Sequence, residues 1–253
     1  MRFGVKSDKG IVRDINEDSF NVLAGYPNVP ISFIIADGMG GHNSGEVASQ
    51  MAVDFVSNYI MESPEAFTDE KRISEAICDV IEKANSKIFS VSSEQNENTG
   101  MGTTLVMAIL CGKKIYFGHV GDSRAYVLRE GIINQITTDH SFIEELVKNG
   151  SISRKEAMTH PKRNLITRAL GCYEKIEVDI YTCNVKENDV YILCTDGLTN
   201  LIEDSDMKDI LENFDDPEAA CSELVGLANS RGGDDNITVI VFKTGKTAKA
   251  VLP

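Results

Sequence analysis

Ile34-Ile-Ala-Asp37-Gly38-Met39-Gly-Gly-His42-Asn-Ser-Gly-Glu46 leaves an apolar run, crosses a glycine-rich turn and enters a stretch with helical character. Such a turn can cradle a phosphate, because backbone N–H groups converge at a helix N-terminus. It can instead offer a carboxylate to a metal. Spacing decides between the two. The dinucleotide fingerprint needs glycines at its first, third and sixth places; Gly38 and Gly40 fit, but the sixth is Asn43. A phosphate-binding Walker loop needs Gly-Lys-Ser/Thr, and Gly45 is followed by Glu46. The Gly-Lys-Thr at 245–247 has Ile240 where the first glycine belongs. Both nucleotide readings fail, and Asp37 would repel a phosphate unless a cation stood between them.

Outward from this stretch, short strand-like runs cover 19–24 and 31–36, with a turn at 25–28. Apolar residues then recur at helical spacing from Val47 to Ile60, and again from Ile73 to Val91, before the polar stretch 92–99. The period changes at 103–110, 114–119, 124–129 and 132–136, four short strands separated by turn residues. A helix is expected at 142–148, strands at 176–183 and 190–194, helices near 205–214 and 217–230, and a last strand at 237–242. Strands mostly follow strands and helices come in pairs. That order implies α+β: antiparallel sheets covered by helical hairpins, as a single domain over 1–243 with a loose tail at 244–253.

The chain of 253 residues can bury a real core, and a hydrophobic content of 42% is that of a globular protein. A net charge of −14 argues against sequence-independent nucleic-acid binding, which needs Lys and Arg to displace counterions. No apolar run approaches the roughly 20 residues of a spanning helix. The N-terminus has no signal-peptide core, so a cytosolic location is expected. Six scattered cysteines without a Cys-x-x-Cys pair read as buried free thiols in a reducing compartment.

Asp37 closes an apolar strand, where an uncompensated carboxylate is costly. Asp196 repeats the pattern after 190–195, again followed by glycine. Glu17-Asp18, Gly121-Asp122 and Asp234-Asp235 also sit at strand ends. Taken singly, such pairs are ordinary turn chemistry. Five in one chain, two closing near-identical strands, favour a carboxylate cluster. Oxygen ligands without convergent His or Cys select hard cations, Mg²⁺ or Mn²⁺.

Six segments carry a resemblance: Arg13-Asp-Ile-Asn-Glu-Asp-Ser19, Asp37-Gly-Met-Gly-Gly-His42, Met101-Gly-Thr-Thr104, Gly118-His-Val-Gly-Asp-Ser-Arg124, Thr195-Asp-Gly-Leu198 and Gly233-Asp-Asp-Asn-Ile-Thr238. Their order resembles that of the compact bacterial form of protein phosphatase 2C, a metal-dependent Ser/Thr phosphatase family. The resemblance implies two stacked antiparallel β-sheets flanked by helices, with metals at one end between the sheets. It implies that Asp37 bridges two Mn²⁺ or Mg²⁺ ions, that the Gly38 carbonyl binds one, and that Asp196 and Asp235 hold the first. Glu17 corresponds to a ligand of the second ion, often through water, with Asp18 supporting that shell. Asp122, sharing Asp196, corresponds to the ligand of a weaker third ion, and Arg13 to the arginine that grips the substrate phosphate. A surface ion pair is the other fate open to Arg13.

Where animal members carry a histidine as general acid, this chain has Met39; nearby His42 either substitutes or only caps the helix. Asp235 rather than Asp234 matches the family ligand. Residues 146–168 correspond to a flap over the active site, and a solvated basic loop is the plainer alternative. The implied partners are phosphorylated proteins and an opposing Ser/Thr kinase, with no nucleic acid, no membrane and a monomeric enzyme.

Overall fold

Strand β3 (Ser32–Met39) shows how the molecule is layered. Phe33 and Ile35 face one core, whereas Ile34 and Ala36 face another. Both faces of the strand are covered, so it reads as a continuous apolar run rather than an alternating one. The computed structural model describes residues 1–40, 44–94, 100–157, 160–162 and 164–245.

In chain order the remaining elements are β1 (Arg2–Asp8), β2 (Asp18–Leu23), then after β3 the helices α1 (Ser44–Glu62) and α2 (Ile73–Glu94). Next come β4 (Gly102–Thr103), β5 (Leu105–Cys111), β6 (Lys114–Val120), β7 (Arg124–Arg129) and β8 (Ile132–Gln135). Then follow α3 (Phe142–Lys148), α4 (Arg154–Ala157), β9 (Asp179–Asn184), β10 (Val190–Cys194), α5 (Asp196–Thr199), α6 (Asp204–Asn213), α7 (Pro217–Ser230) and β11 (Ile237–Lys243). One sheet runs β1-β11-β10-β7-β8 and the other β2-β3-β5-β6-β9, with β4 paired to β3; the pairings are antiparallel.

The two sheets meet through Phe33, Ile35, Val106, Phe117, Tyr191, Leu193, Ile240 and Phe242. Phe33 stacks on Phe242 with ring centroids 4.1 Å apart, and Phe242 on Tyr191 at 5.1 Å. Outside this layer, α1 and α2 cover one sheet and α6 and α7 the other. Ala48, Ala52, Val53 and Val56 on α1 are small, which suits a helix lying close to a sheet. Ile73, Ile77, Val80, Ile81, Ala84 and Ile88 form the buried stripe of α2. The α+β sandwich flanked by helical pairs is therefore the observed architecture.

Several boundaries differ from the sequence expectation. The strand expected at 103–110 breaks at Thr104 into β4 and β5, because Thr104 turns its N–H to the Asp37 carbonyl (2.9 Å). The strand expected from 176 starts at Asp179, while Ile176 and Val178 pack against the α1–α2 core without ladder bonds. β1 was not foreseen: its charged Arg2, Lys6 and Asp8 mask the pattern, and such charges suit a sheet edge. Thr244, expected in a loose tail, is buried, donating its N–H to Asp189 O (3.0 Å) and its hydroxyl to Lys186 O (2.7 Å). Residues 246–253 of that tail lie outside the described residues. All six cysteines are free, and three of them (Cys78, Cys172, Cys183) are not buried.

Gly4 brings β1 against the start of α7, where a methyl group would land on the backbone of Pro217 and Glu218. Gly226, inside α7, faces open space. Gly4→Ala should therefore destabilise the protein by about 1–3 kcal/mol, and Gly226→Ala should stabilise it by about 0.5–1 kcal/mol. Urea denaturation of both variants checks this; equal and small effects would contradict the packing.

Candidate active site

Period-two geometry carries the apolar face of each strand into a polar one at the same end of the sandwich. Beyond Phe33 and Ile35 that face of β3 reaches Asp37; beyond Phe242 and Ile240, β11 reaches Thr238; beyond Tyr191 and Leu193, β10 reaches Thr195. Asp18 on β2 pairs in register with Asp37. Asp122 follows β6, Asp196 opens α5 and Asp235 precedes β11. Asp37 consequently feels the charges of Asp18, Asp196, Asp122 and Asp235 together.

Asp18 is buried and accepts hydrogen bonds on Oδ2 from Thr195 (2.9 Å) and Thr238 (2.7 Å). The Asp37 backbone is pinned on both sides: Thr103 Oγ1 donates to its carbonyl (2.8 Å), and its N–H donates to Thr104 Oγ1 (2.9 Å). Thr104 in turn shares a hydrogen bond with Ser123, next to Asp122 (2.7 Å). The Asp37 carboxyl hydrogen-bonds that of Asp196, which also accepts from Asn200 (3.1 Å). Glu17 accepts from the backbone N–H groups of Gly45 and Glu46 at the start of α1. Gly38 is required where it stands, because a methyl group there would strike the Gly45 carbonyl oxygen.

Arg13 lies at the rim, half-exposed, with its guanidinium 2.8 Å from Asp235 Oδ2. The ion-pair alternative for Arg13 is thus real, but the partner is itself a member of the cluster. Asp235 is the inward carboxylate of its pair, and Asp234 is exposed. His42 lies outside the described residues, as do parts of 146–168. The foot of that segment is anchored: the Phe142 N–H donates to Leu165 O (2.8 Å) and the Thr167 N–H to His140 O (2.8 Å).

The model of the protein phosphatase 2C family matches residues 11–227. The serine/threonine phosphatase stp of Listeria monocytogenes serotype 4b is 39% identical over 249 residues, covering 98% of both chains. The crystallised serine/threonine phosphatase of S. agalactiae superposes with a TM-score of 0.89 at 34% identity, over 95% of this chain and 98% of that one. The catalytic domain of the phosphatase PstP, in complex with 2 manganese ions, does so with a TM-score of 0.84 at 33% identity, over 97% and 98%.

This chain belongs to the protein phosphatase 2C family. It is a metal-dependent serine/threonine protein phosphatase. Within the family frame, Asp235 lies beyond the matched span, yet the fold returns it to the cluster.

The electrostatics fit a divalent cation. Burial pushes Asp18 up to about 7 despite its two threonine donors. Desolvation, then repulsion from Asp18, Asp196, Asp122 and Asp235, lifts Asp37 well above the ordinary carboxylate range. Burial and then Asp196 do the same to Asp122, and burial raises Asp196 and Glu17. Burial and like charge both oppose ionisation of these groups, and a divalent cation among them relieves both. Full ionisation at neutral pH therefore needs a cation. Two buried oxygens, Asp18 Oδ1 and Asp122 Oδ1, have no hydrogen-bond partner, which leaves them as free donors to a metal. Among the described residues no three carboxylates form a finished coordination shell: Asp18 turns Oδ2 to its two threonines, Asp196 an oxygen to Asn200 and Asp235 an oxygen to Arg13.

Sequence reasoning attached roles to the acids and missed what holds them. Thr103, Thr104, Thr195 and Thr238 all fall inside the quoted segments, and for Thr195, next to Asp196, a hydroxyl beside an acidic turn was the available signal. His140 gave no such signal. It grips the Asp122 turn twice, accepting at Nδ1 from the Gly121 N–H (3.0 Å) and donating its own N–H to Gly121 O (2.8 Å).

Carboxyls with raised pKa hold protons that the unfolded chain has released, so they favour folding below about pH 4 and this contribution is lost as pH rises through their folded values. His119, pushed down to about 3 by burial, and His140, also lowered, act oppositely but are spent by about pH 7. The melting temperature in EDTA should therefore fall as pH rises through about 7. The rise on adding Mn²⁺ should be larger at pH 8 than at pH 5.5, because fewer protons compete. Scanning calorimetry checks both; a Mn²⁺ shift independent of pH would contradict the cluster.

Proposed function

We propose that this enzyme hydrolyses phosphoserine and phosphothreonine esters on proteins, and that Asp37 would serve two ions, the Gly38 carbonyl one of them, and Asp196 and Asp235 the first. The observation that supports the assignment is the convergence of Asp18, Asp37, Asp122, Asp196 and Asp235 at one end of the sandwich with two partnerless buried oxygens. When bound, Mn²⁺ or Mg²⁺ would act as Lewis acid and lower the pKa of water to make a nucleophile at neutral pH. Asp18 would orient the shell from its two threonines, Glu17 would reach it while held by the N–H groups at the start of α1, and Asp122 with Asp196 would offer a third, weaker site.

Arg13 takes the substrate phosphate. Its pairing with Asp235 leaves other guanidinium N–H groups facing solvent at the rim, in reach of an incoming dianion. His42 stands as the candidate proton donor to the leaving serine or threonine oxygen. Residues 146–168 correspond to the family's flap, and within them Lys155 and Lys162 are exposed, where they would attract a phosphorylated chain. The enzyme works as a cytoplasmic monomer opposite a Ser/Thr kinase; among the described residues no helix is long and apolar enough to cross a membrane.

Hydrolysis of a phosphothreonine peptide tests this. Activity should vanish in EDTA, return with Mn²⁺ better than with Zn²⁺, and resist okadaic acid. Arg13→Ala should raise KM about tenfold or more while Mn²⁺ affinity holds. Full turnover in EDTA, or an unchanged KM, would refute the corresponding assignment.

A further inference from the structure

The loop that carries Arg13 also exposes apolar side chains. Ile11 and Val12 are 67% and 64% exposed, and Ile15 is 38% exposed. Single exposed apolar residues need no explanation, but three fall within five positions of the chain, on either side of a half-exposed guanidinium. The loop that carries them is held rigidly. The N–H groups of Ile11 and Val12 both donate to Gly233 O (2.8 and 3.2 Å), and the Gly10 N–H donates to Asp8 Oδ1 (2.9 Å). Asn236 Nδ2 donates to the carbonyls of Lys9 (2.9 Å) and Ile15 (2.8 Å). The loop thus rests along the 233–236 segment that carries Asp235. Ile and Val are stiff at χ1, so contact with a ligand costs them little rotamer entropy.

We propose that Ile11 and Val12 form a docking patch for an apolar side chain lying within two residues of the phosphorylated serine or threonine. The proposal rests on the reading of Arg13 as the phosphate grip. An extended peptide advances roughly 3.3–3.6 Å per residue, and Val12 is the chain neighbour of Arg13. A phosphate on that guanidinium would carry the flanking side chains of the substrate past the loop that exposes Val12 and Ile11. The next residue, Asp14, is exposed, and the chain as a whole carries a net charge of −14, which disfavours acidic flanks. The selected substrate is a phosphopeptide with aliphatic neighbours rather than acidic ones.

Two phosphothreonine peptides, identical except for Leu or Ser at the positions next to the phosphothreonine, provide the test. The enzyme loaded with Mn²⁺ should favour the Leu peptide in kcat/KM by about five- to thirtyfold, mainly through KM. In Ile11→Ser/Val12→Ser the ratio should fall to about one or two. The near-isosteric Val12→Thr, which keeps the loop's shape, should lower it in the same direction. A ratio near one for the unaltered enzyme, or a ratio that survives in the double variant, would overturn the proposal. So would sedimentation showing a dimer that the double variant dissolves while the selectivity persists, since the patch would then be a contact between copies. Failure to hydrolyse any phosphate ester would refute the phosphatase reading itself, and this proposal with it.

Discussion

Mutual repulsion among carboxylates governs this molecule. Asp18, Asp37, Asp122, Asp196 and Asp235 lie close enough that burial and like charge together lift most of them out of their ordinary range. A flexible chain would relax by swinging them into water. Here they cannot swing, because Asp37 is pinned by Thr103 and Thr104, Asp18 by Thr195 and Thr238, and the strands behind them by the stacked Phe33, Phe242 and Tyr191. The sandwich therefore acts as a clamp, and its core stability is what holds a repulsive cluster ready for a cation. Strain of this kind persists only where the surroundings over-determine it.

Much of this was legible in the sequence where local chemistry and tertiary demand agree. The apolar stripe of α2 and the turns between β5, β6, β7 and β8 could be read from periodicity alone, and the strand 190–194 matches β10. Asp37 and Asp196 were visible as charges closing apolar strands, a placement with few physical explanations. Legibility failed where partners distant in sequence decide the outcome. β1 forms because β11, more than 200 positions away, offers it a ladder, and its own residues do not announce a strand. The break at Thr104 and the grip of His140 on Gly121 are likewise contacts made only by the folded chain. Propensity carries no record of them.

The loops divide the labour at the site between strands and rim. Strand ends carry the acids, where position is most precise. The 9–16 loop, docked along 233–236, carries Arg13 and the exposed Ile11 and Val12, and the foot of 146–168 is tied through His140 to the Asp122 turn. The loop that exposes Arg13 and the acidic cluster are thus joined by hydrogen bonds to backbone atoms.

If repulsion is the organising constraint, removing one charge from its centre should relieve the fold while ending the function. Asp37→Asn keeps the shape and a hydrogen bond toward Asp196 but removes the shared negative charge. In EDTA at pH 8 this variant should melt about 2–4 °C or more above the unaltered protein, for each kcal/mol of repulsion removed. Added Mn²⁺ should then leave its melting temperature unchanged and produce no phosphatase activity. A variant that melts below the unaltered protein in EDTA, and is still stabilised by Mn²⁺, would contradict the account.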